Sequence, residues 1–210
     1  MGNSHTSLIL IVSGPSASGK STLVKKLLEL PGMLWSISDT TRPPRHEDDK
    51  GWYNFIAEGE FKRRIDRGEF LEYACVFGKH WYGTPKRWLD EAKAKGLDLV
   101  LEIDVQGATQ VKGKHPESVA IFVVPPSARE LEKRIRARGQ NSEEEIARRL
   151  EQARQEVQRY DEYDYVVVND DVERAGREVQ AIAVAARCRR VWNEDRARQI
   201  LELFGGSPSK

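Results

Sequence analysis

A glycine-rich segment near the amino terminus carries residue types that bind phosphate. Gly14-Pro-Ser-Ala-Ser-Gly19-Lys20-Ser21 matches the phosphate-loop pattern Gly-x₄-Gly-Lys-Ser/Thr, and it lies between an apolar run and a helical one. In such a loop, backbone N–H groups and the amino end of the next helix surround the phosphates of a nucleoside triphosphate. Lys20 reaches the β- and γ-phosphates, and the Ser21 hydroxyl is a ligand for Mg²⁺. The predicted triphosphate-binding positions are Gly14, Pro15, Ser16, Ala17, Ser18, Gly19, Lys20, Ser21 and Thr22.

The phosphate loop leaves open whether the γ-phosphate passes to water, to a small molecule or to no acceptor. A polar and aromatic segment from Asp39 to about Lys86, called the insertion below, supplies residues suited to an acceptor. Arg42 and Arg45 lie three residues apart in a proline-stiffened stretch, which suits a paired-donor clamp on one phosphate group. The phenol hydroxyls of two tyrosines can donate to the same phosphate; these are Tyr53 and Tyr82.

Glu72 offers the complementary chemistry, because an ionised carboxylate only accepts hydrogen bonds. It can receive two adjacent donors of a base, such as the N1–H and 2-amino groups of guanine. Ser38 and Thr84 can complete the contacts at the base edge. Taken singly, each of these residues is as compatible with packing or a solvated surface as with a site.

The insertion and the segments after it resemble the guanylate kinase family of the bacterial, housekeeping type. The resemblance extends from about Leu8 to Ala186. The matching motifs are Ser38-Asp-Thr-Thr-Arg42-Pro-Pro-Arg45, Gly51-Trp-Tyr53-Asn-Phe55, Glu69-Phe-Leu-Glu72-Tyr-Ala74, Trp81-Tyr82-Gly-Thr84, Glu102-Ile-Asp104-Val-Gln106-Gly107 and Val168-Asn169-Asp170. By this resemblance, GMP is bound by Arg42, Arg45, Tyr53 and Tyr82 at its phosphate, by Ser38, Glu72 and Thr84 at guanine, and by Asp104.

Asp104 is placed like the second acidic residue of a phosphate-loop site, at the end of a predicted strand. We expect it to hold Mg²⁺ through water or to orient the acceptor, with Ser21 as the direct metal ligand. Glu102 lies two residues earlier on the same strand face, and its role stays open between the site and the structure.

The resemblance also implies a mobile lid that folds over ATP and brings arginines to the transferring phosphoryl group. Ion-paired exposed helices are the alternative explanation for such arginines. Asn169, after the last predicted strand, matches a family position near adenine. The catalytic set implied in this way is Lys20, Arg42, Asp104, Arg134, Arg138 and Arg149.

Ala17 departs from the family pattern, which has glycine at this position of the loop. If the loop requires a positive φ there, alanine costs on the order of 1 kcal/mol.

Apolar strands that alternate with charged helices must position these residues. Runs without polar alternation are typical of strands buried on both faces of a parallel sheet. The predicted strands are Leu8–Ser13, Asp98–Asp104, Val119–Val124 and Tyr165–Asn169, with a shorter one near Leu34–Ser38. The sequence therefore predicts an α/β fold of the P-loop NTPase type, a parallel sheet with helices on both faces.

Four helical regions are predicted. One extends from Leu23 to Leu30, two begin at capping boxes, and the last extends from about Val172 onward. The boxes are Ser127-Ala-Arg-Glu130 and Ser142-Glu-Glu-Glu145. In the helix after the second box, the apolar face is predicted to be Ile146, Leu150, Ala153 and Val157, with Arg148, Arg149 and Arg154 on other faces.

We expect one domain, residues 7–205, with a core of 7–38 and 87–205. The insertion, at about 39–86, has its own short strands and a helix, and a lid lies at about 135–155.

Lys and Arg total 34 against 33 Asp and Glu, so the net charge of +1 argues against a general nucleic-acid binder. The apolar runs are too short for a membrane helix, and two distant cysteines indicate a reducing compartment. A cytoplasmic protein, a monomer or small homo-oligomer, is expected.

These features predict an ATP- and Mg²⁺-dependent nucleoside monophosphate kinase that converts GMP and ATP to GDP and ADP. Two alternatives remain open at the level of sequence. One is a non-catalytic guanylate-kinase-like module that binds phosphopeptides, and the other is a sugar-phosphate kinase of the same fold. The intact phosphate loop argues against the first, and Glu72 with the Arg42/Arg45 pair argues against the second.

Overall fold

The computed structural model describes residues 7–44, 51–76, 78–137 and 142–205 of the chain as strands joined by helices. The strands are β1 (Ile9–Ser13), β2 (Met33–Trp35), β3 (Ser38–Thr40), β4 (Tyr53–Phe55), β5 (Phe70–Val76), β6 (His80–Pro85), β7 (Asp98–Glu102), β8 (Val119–Val124) and β9 (Tyr165–Val168). The helices are α1 (Lys20–Leu28), α2 (Glu58–Asp66), α3 (Arg87–Lys95), α4 (Val105–Lys114), α5 (Ala128–Ala137), α6 (Glu143–Val157), α7 (Val172–Arg187) and α8 (Arg190–Leu203). Among these helices, none is long and apolar enough to cross a membrane.

The main sheet is parallel throughout, in the order β2-β7-β1-β8-β9. Its central strands are completely buried, because α1 and α7 cover one face while α3 and α4 cover the other. Continuous Val, Ile and Leu content is what burial on both faces requires. The α/β prediction and the five strands predicted for this sheet are confirmed, with boundaries that differ by a few residues.

A second, four-stranded sheet forms the insertion, in the order β4-β3-β6-β5. Strand β3 pairs in parallel with β4 and antiparallel with β6, and β5 pairs antiparallel with β6. Helix α2 belongs to this part of the chain, so the prediction of short strands and a helix is confirmed. The sheet begins at Ser38, one residue before the predicted start of the insertion.

Two boundaries differ from the prediction. The strand predicted to reach Asp104 ends at Glu102, because Asp104 instead caps α4 with its side chain. Helix α1 begins at Lys20 rather than Leu23, directly after the left-handed Gly19. The helix predicted from about Val172 onward is confirmed, and this region divides into α7 and α8.

Three of the four apolar residues predicted for helix α6 pack in one core cluster, namely Ile146, Leu150 and Ala153. Its buried residues are Ile146, Arg149 and Ala153, which lie on one face at spacings of three and four, whereas Val157 is 38% exposed. Both predicted caps are confirmed: Ser127 Oγ accepts from the Glu130 N–H at 3.1 Å, and Ser142 Oγ accepts from the Glu145 N–H at 3.3 Å.

A buried carboxylate, Asp98, ties the amino end of β1 to the carboxyl end of α7. Its Oδ1 accepts from the Leu8 N–H at 3.1 Å, and its Oδ2 accepts from Arg187 Nε at 2.6 Å. Arg187 in turn donates to the Pro31 carbonyl at 2.8 Å, in the turn before β2. Three segments distant in sequence therefore meet at one buried charge.

Asp98→Ala should lower the free energy of unfolding by about 2–4 kcal/mol, because a buried N–H and a guanidinium lose their acceptor. Urea denaturation measures this change. Asp98→Asn, which keeps an acceptor for Leu8, should lose less. Equal stability of Asp98→Ala and the wild type would contradict the assigned role.

Candidate active site

The phosphate loop joins β1 to α1 in a backbone conformation that depends on glycine. Gly14 has a φ of +138°, and a Cβ there would lie 2.2 Å from the Val123 carbonyl oxygen. Gly19 has a φ of +96°, and a Cβ there would lie 2.1 Å from Asn169 Nδ2. Ala17 has a φ of +66°, so the loop does require the left-handed conformation at the position where the chain carries alanine.

Arg134 and Asn169 fasten the outside of this loop. Asn169 Nδ2 donates to the Ser18 carbonyl at 2.9 Å, and Arg134 donates to the Ser18 and Asn169 carbonyls at 3.3 and 2.9 Å. Glu130 accepts from Arg134 Nε at 3.1 Å, one helical turn earlier on α5. Both predicted nucleotide-site residues therefore contact the loop backbone directly.

Lys20 and Ser21 begin α1 inside the loop. Lys20 Nζ donates to the carbonyls of Gly14 and Pro15 at 2.7 and 2.9 Å, which holds the ammonium across the loop. Ser21 Oγ donates to Glu102 Oε1 at 2.6 Å. Because β1 and β7 are parallel neighbours, with Val12 opposite Glu102, the carboxyl end of β7 delivers this carboxylate to the phosphate loop.

Glu102, whose role the sequence left open, is thus the carboxylate that contacts the phosphate-loop hydroxyl. Asp104 lies one step further, in the first turn of α4, where its Oδ1 accepts from the Gly107 N–H at 2.8 Å. Burial raises the pKa of Asp104, while that hydrogen bond and the charge of Lys20 act in the opposite direction. Two carboxylates, Glu102 at the end of β7 and Asp104 at the cap of α4, therefore lie near Lys20.

Three residues of the insertion lie together at the site that the sequence predicts to bind the acceptor phosphate. Arg42 is 7% exposed, and its Nε donates to the Tyr82 hydroxyl at 3.1 Å. The guanidinium carbon lies 5.4 Å from the centre of the Tyr53 ring, and the rings of Tyr53 and Tyr82 are 5.7 Å apart. The arrangement offers one charged fork and two phenol groups in one place.

Glu72 lies deeper in the insertion, with a side chain that is almost completely buried. Thr84 Oγ1 donates to Glu72 Oε1 at 2.6 Å, and the Ser38 hydroxyl lies 3.4 Å from Thr84 Oγ1. Burial raises the pKa of Glu72 to about 7, and the nearby charge of Asp104 acts in the same direction. Such a carboxylate gains most from a ligand that donates hydrogen bonds to it.

Helix α6 contributes Arg149, which the sequence predicts as a site residue, together with Gln152 and Glu156, which the sequence analysis does not predict. Arg149 is 6% exposed and donates to Glu145 at 2.9 Å, and Gln152 donates to Glu156 at 2.6 Å. Arg149, Gln152 and Glu156 share one face of α6 at spacings of three and four, which is the signal that would have connected Gln152 and Glu156 with Arg149. Burial raises the pKa of Glu156, against the effect of the Lys20 charge.

These groups face one cavity, called the central cleft below. Its lining combines the phosphate loop, the insertion, the end of β7 and the inner face of α6. It includes Gly14, Ser16, Lys20, Ser38, Arg42, Tyr53, Glu72, Tyr82, Glu102, Asp104, Arg149, Gln152 and Glu156. Of the predicted site residues, Arg45 and Arg138 lie outside the residues that the structure describes.

The donor set of the cleft fits Mg²⁺, since a serine hydroxyl and carboxylates are hard oxygen ligands. Within the described part of the chain, no three or more His, Cys, Asp or Glu residues gather as a metal cluster.

A phosphate loop after the first parallel strand, with a carboxylate on the neighbouring strand, defines a P-loop nucleoside-triphosphate-binding protein. The family model described as guanylate kinase matches residues 6–186. The chain belongs to the guanylate kinase family.

Individual relatives agree with this assignment. The chain is 50% identical over 186 residues to the guanylate kinase of Myxococcus xanthus, covering 87% of this chain and 88% of that one. It is 48% identical over 197 residues to that of Caldanaerobacter subterraneus subsp. tengcongensis, covering 93% and 95%. The crystal structure of guanylate kinase from Anaplasma phagocytophilum superposes with a TM-score of 0.73 at 34% identity and covers 90% of each chain.

The raised pKa of Glu72 predicts how the free energy of unfolding depends on pH. Its pKa is about 7 in the folded protein and near 4.5 when exposed, so the folded state binds the extra proton between these values. The free energy of unfolding contributed by this group therefore falls as pH rises from 4.5 to 7. Glu72→Gln, which cannot ionise, should be more stable than the wild type at pH 8, by about 2–3 kcal/mol, and the gain should shrink severalfold at pH 5.

Urea denaturation at both pH values measures this difference. A gain of the same size at pH 5 and pH 8 would show that Glu72 does not titrate in this range.

Proposed function

We propose that this chain transfers the γ-phosphoryl group of ATP to GMP, giving ADP and GDP. The observation that carries the proposal is the central cleft, in which the phosphate loop faces Arg42, Tyr82 and Glu72 across one cavity. The chain thus has a triphosphate site and, opposite it, an anion clamp followed by a buried acceptor of hydrogen bonds.

On the donor side, the loop N–H groups and Lys20 hold the β- and γ-phosphates of ATP. Asn169 and Arg134 support this by holding the Ser18 carbonyl, which keeps the loop in shape. The transition state spreads charge over the equatorial oxygens of the moving group, so positioned cations rather than a covalent intermediate stabilise it. Lys20 and Arg149 line the cleft where that charge develops, and we propose the same role for Arg138.

On the acceptor side, Arg42 and Arg45, with Tyr53 and Tyr82, hold the phosphate of GMP. One of its oxygens attacks the γ-phosphorus as the bond to the bridging oxygen of ADP breaks. Glu72 receives the N1–H and 2-amino groups of guanine, and Ser38 and Thr84 contact the same base edge.

Mg²⁺, when bound, neutralises the β- and γ-phosphates and aligns them for transfer. We infer that the Ser21 hydroxyl holds it directly and that Asp104 does so through water. Glu102, 2.6 Å from Ser21 Oγ, adds a second carboxylate to the same set. Removal of Mg²⁺ with a chelator should abolish transfer.

The two alternatives lack a supporting observation. A phosphopeptide-binding module has no need of Lys20 and Ser21, which are present here in an intact phosphate loop. A sugar-phosphate kinase has no need of a buried carboxylate aimed at a base. From composition we further propose a cytoplasmic enzyme of purine nucleotide metabolism, a monomer or small homo-oligomer, without nucleic-acid or membrane partners.

The proposal is tested by steady-state kinetics with GMP, IMP and AMP, measured as ADP release. The wild type should use GMP far better than AMP, because N1 of adenine carries no proton and would face the Glu72 carboxylate. Discrimination of about 10⁴ is within reach of such a site. Glu72→Gln should raise the KM for GMP strongly and leave the KM for ATP nearly unchanged. A wild type that uses AMP as well as GMP would refute the assignment of the base site.

Lys20→Ala should lower kcat by several orders of magnitude, since the donor phosphates lose their cation. GMP binding, measured by calorimetry without ATP, should persist. Lys95→Ala, an exposed lysine on α3, is the matched control and should behave as the wild type. Normal turnover in Lys20→Ala would exclude the phosphate loop as the donor site.

A further inference from the structure

Helix α4 contacts the strand that carries Glu72, and at this contact the helix has a glycine in its first turn. Glycine is among the least favourable residues inside a helix, and at this position the missing side chain has a structural consequence. A Cβ at Gly107 would lie 2.5 Å from Glu72 Oε2 and 3.1 Å from Glu72 Cδ. The absence of a side chain at Gly107 creates the space that the carboxylate occupies.

The strand around Glu72 is held in place by the same helix. Gln110 Nε2 donates to the Tyr73 carbonyl at 2.7 Å, and Gln110 Oε1 accepts from the Tyr73 N–H at 3.3 Å. Lys114 Nζ donates to the Leu71 carbonyl at 2.7 Å. Since the residues on both sides of Glu72 are bound to α4, the strand is constrained from moving away to accommodate a larger residue.

The carboxylate itself has one end fixed. Thr84 Oγ1 holds Oε1 at 2.6 Å, and Oε2 is the oxygen that faces Gly107. A methyl group at position 107 would therefore push Oε2 away from its position while Thr84 still holds Oε1. The carboxylate would rotate or withdraw, and its two oxygens would no longer match two adjacent donors of a base.

We propose that Gly107 is a specificity-determining positioning residue, which sets the orientation of the Glu72 carboxylate by leaving it room, while Gln110 and Lys114 hold the strand in register. This inference rests on the proposed function, because it concerns how the guanine of GMP is read. The Gly107 N–H also donates to Asp104 Oδ1 at 2.8 Å, a backbone contact that alanine can keep, so the substitution acts through Glu72.

The experiment is steady-state kinetics of Gly107→Ala with GMP and ATP as varied substrates. The KM for GMP should rise about 10- to 100-fold, as expected when a hydrogen bond to a charged group is lost. The KM for ATP should stay within about twofold of the wild type, and kcat at saturating GMP should change less than the KM for GMP.

The chain offers a matched control in the same helix. Gly113 also lies in α4, and a Cβ there would meet nothing within 4 Å. Gly113→Ala should keep the KM for both substrates. If both glycine variants raise both KM values equally, the effect is a general one on α4, and the proposal is wrong.

A double-mutant cycle separates displacement of Glu72 from other effects. Glu72→Asp shortens the side chain by one methylene, so a Cβ at position 107 no longer meets the carboxylate. In this background, Gly107→Ala should raise the KM for GMP severalfold less than it does in the wild type. If Gly107→Ala does not fold, the double variant with Glu72→Asp is expected to fold, because the shorter side chain relieves the clash. Failure of both variants to fold would overturn the proposal.

The wild-type measurements distinguish this inference from the function on which it rests. A wild type without activity on GMP would refute the proposed function and the inference together. A wild type active on GMP, with an unchanged KM for GMP in Gly107→Ala, would refute the inference alone.

Discussion

Parallel pairing of β1 with β7 and β8 is the constraint on which the rest of the structure depends. Because all three strands run in one direction, their carboxyl ends lie at one edge, and the phosphate loop, Glu102 and Asp104 collect there. The 2.6 Å contact between Ser21 and Glu102 joins residues that are 81 positions apart. Helices on both faces keep these strands buried, which gives the loop a rigid base.

The acceptor pocket is built on a buried charge, which carries a cost. Burial raises the pKa of Glu72 to about 7, so near neutral pH the pocket holds a partly protonated carboxylate that is stabilised by Thr84. A base that donates two hydrogen bonds removes much of this cost, whereas a base without those donors does not. In the proposed function, base selectivity and reduced stability therefore arise from the same carboxylate, as is common at functional sites.

Two contacts connect the insertion to the main sheet. Helix α4, which follows β7, is bound to β5 through Gln110 and Lys114. At the other side, Trp52 of the insertion packs on Trp35 at the end of β2, with ring centres 4.4 Å apart, and Lys25 of α1 lies 4.8 Å from the centre of the Trp52 ring. The acceptor pocket is thus positioned by the helices that follow the two central strands of the donor site.

The sequence by itself determined the fold class, the phosphate loop and the five core strands, because these follow from local patterns: apolar runs, glycine spacing, caps and a motif order typical of the family. It also named most of the side chains that the structure gathers in the central cleft. Only the tertiary structure showed the contact that Glu102 makes, the burial of Arg149 and the proximity of Gly107 to a carboxylate. Each of these depends on a partner far away in the chain: Ser21 for Glu102, the cleft for Arg149 and Glu72 for Gly107. Local periodicity carries no information about which distant group a side chain contacts. These contacts depend on the register of β1 with β7 and on how α4 packs against β5.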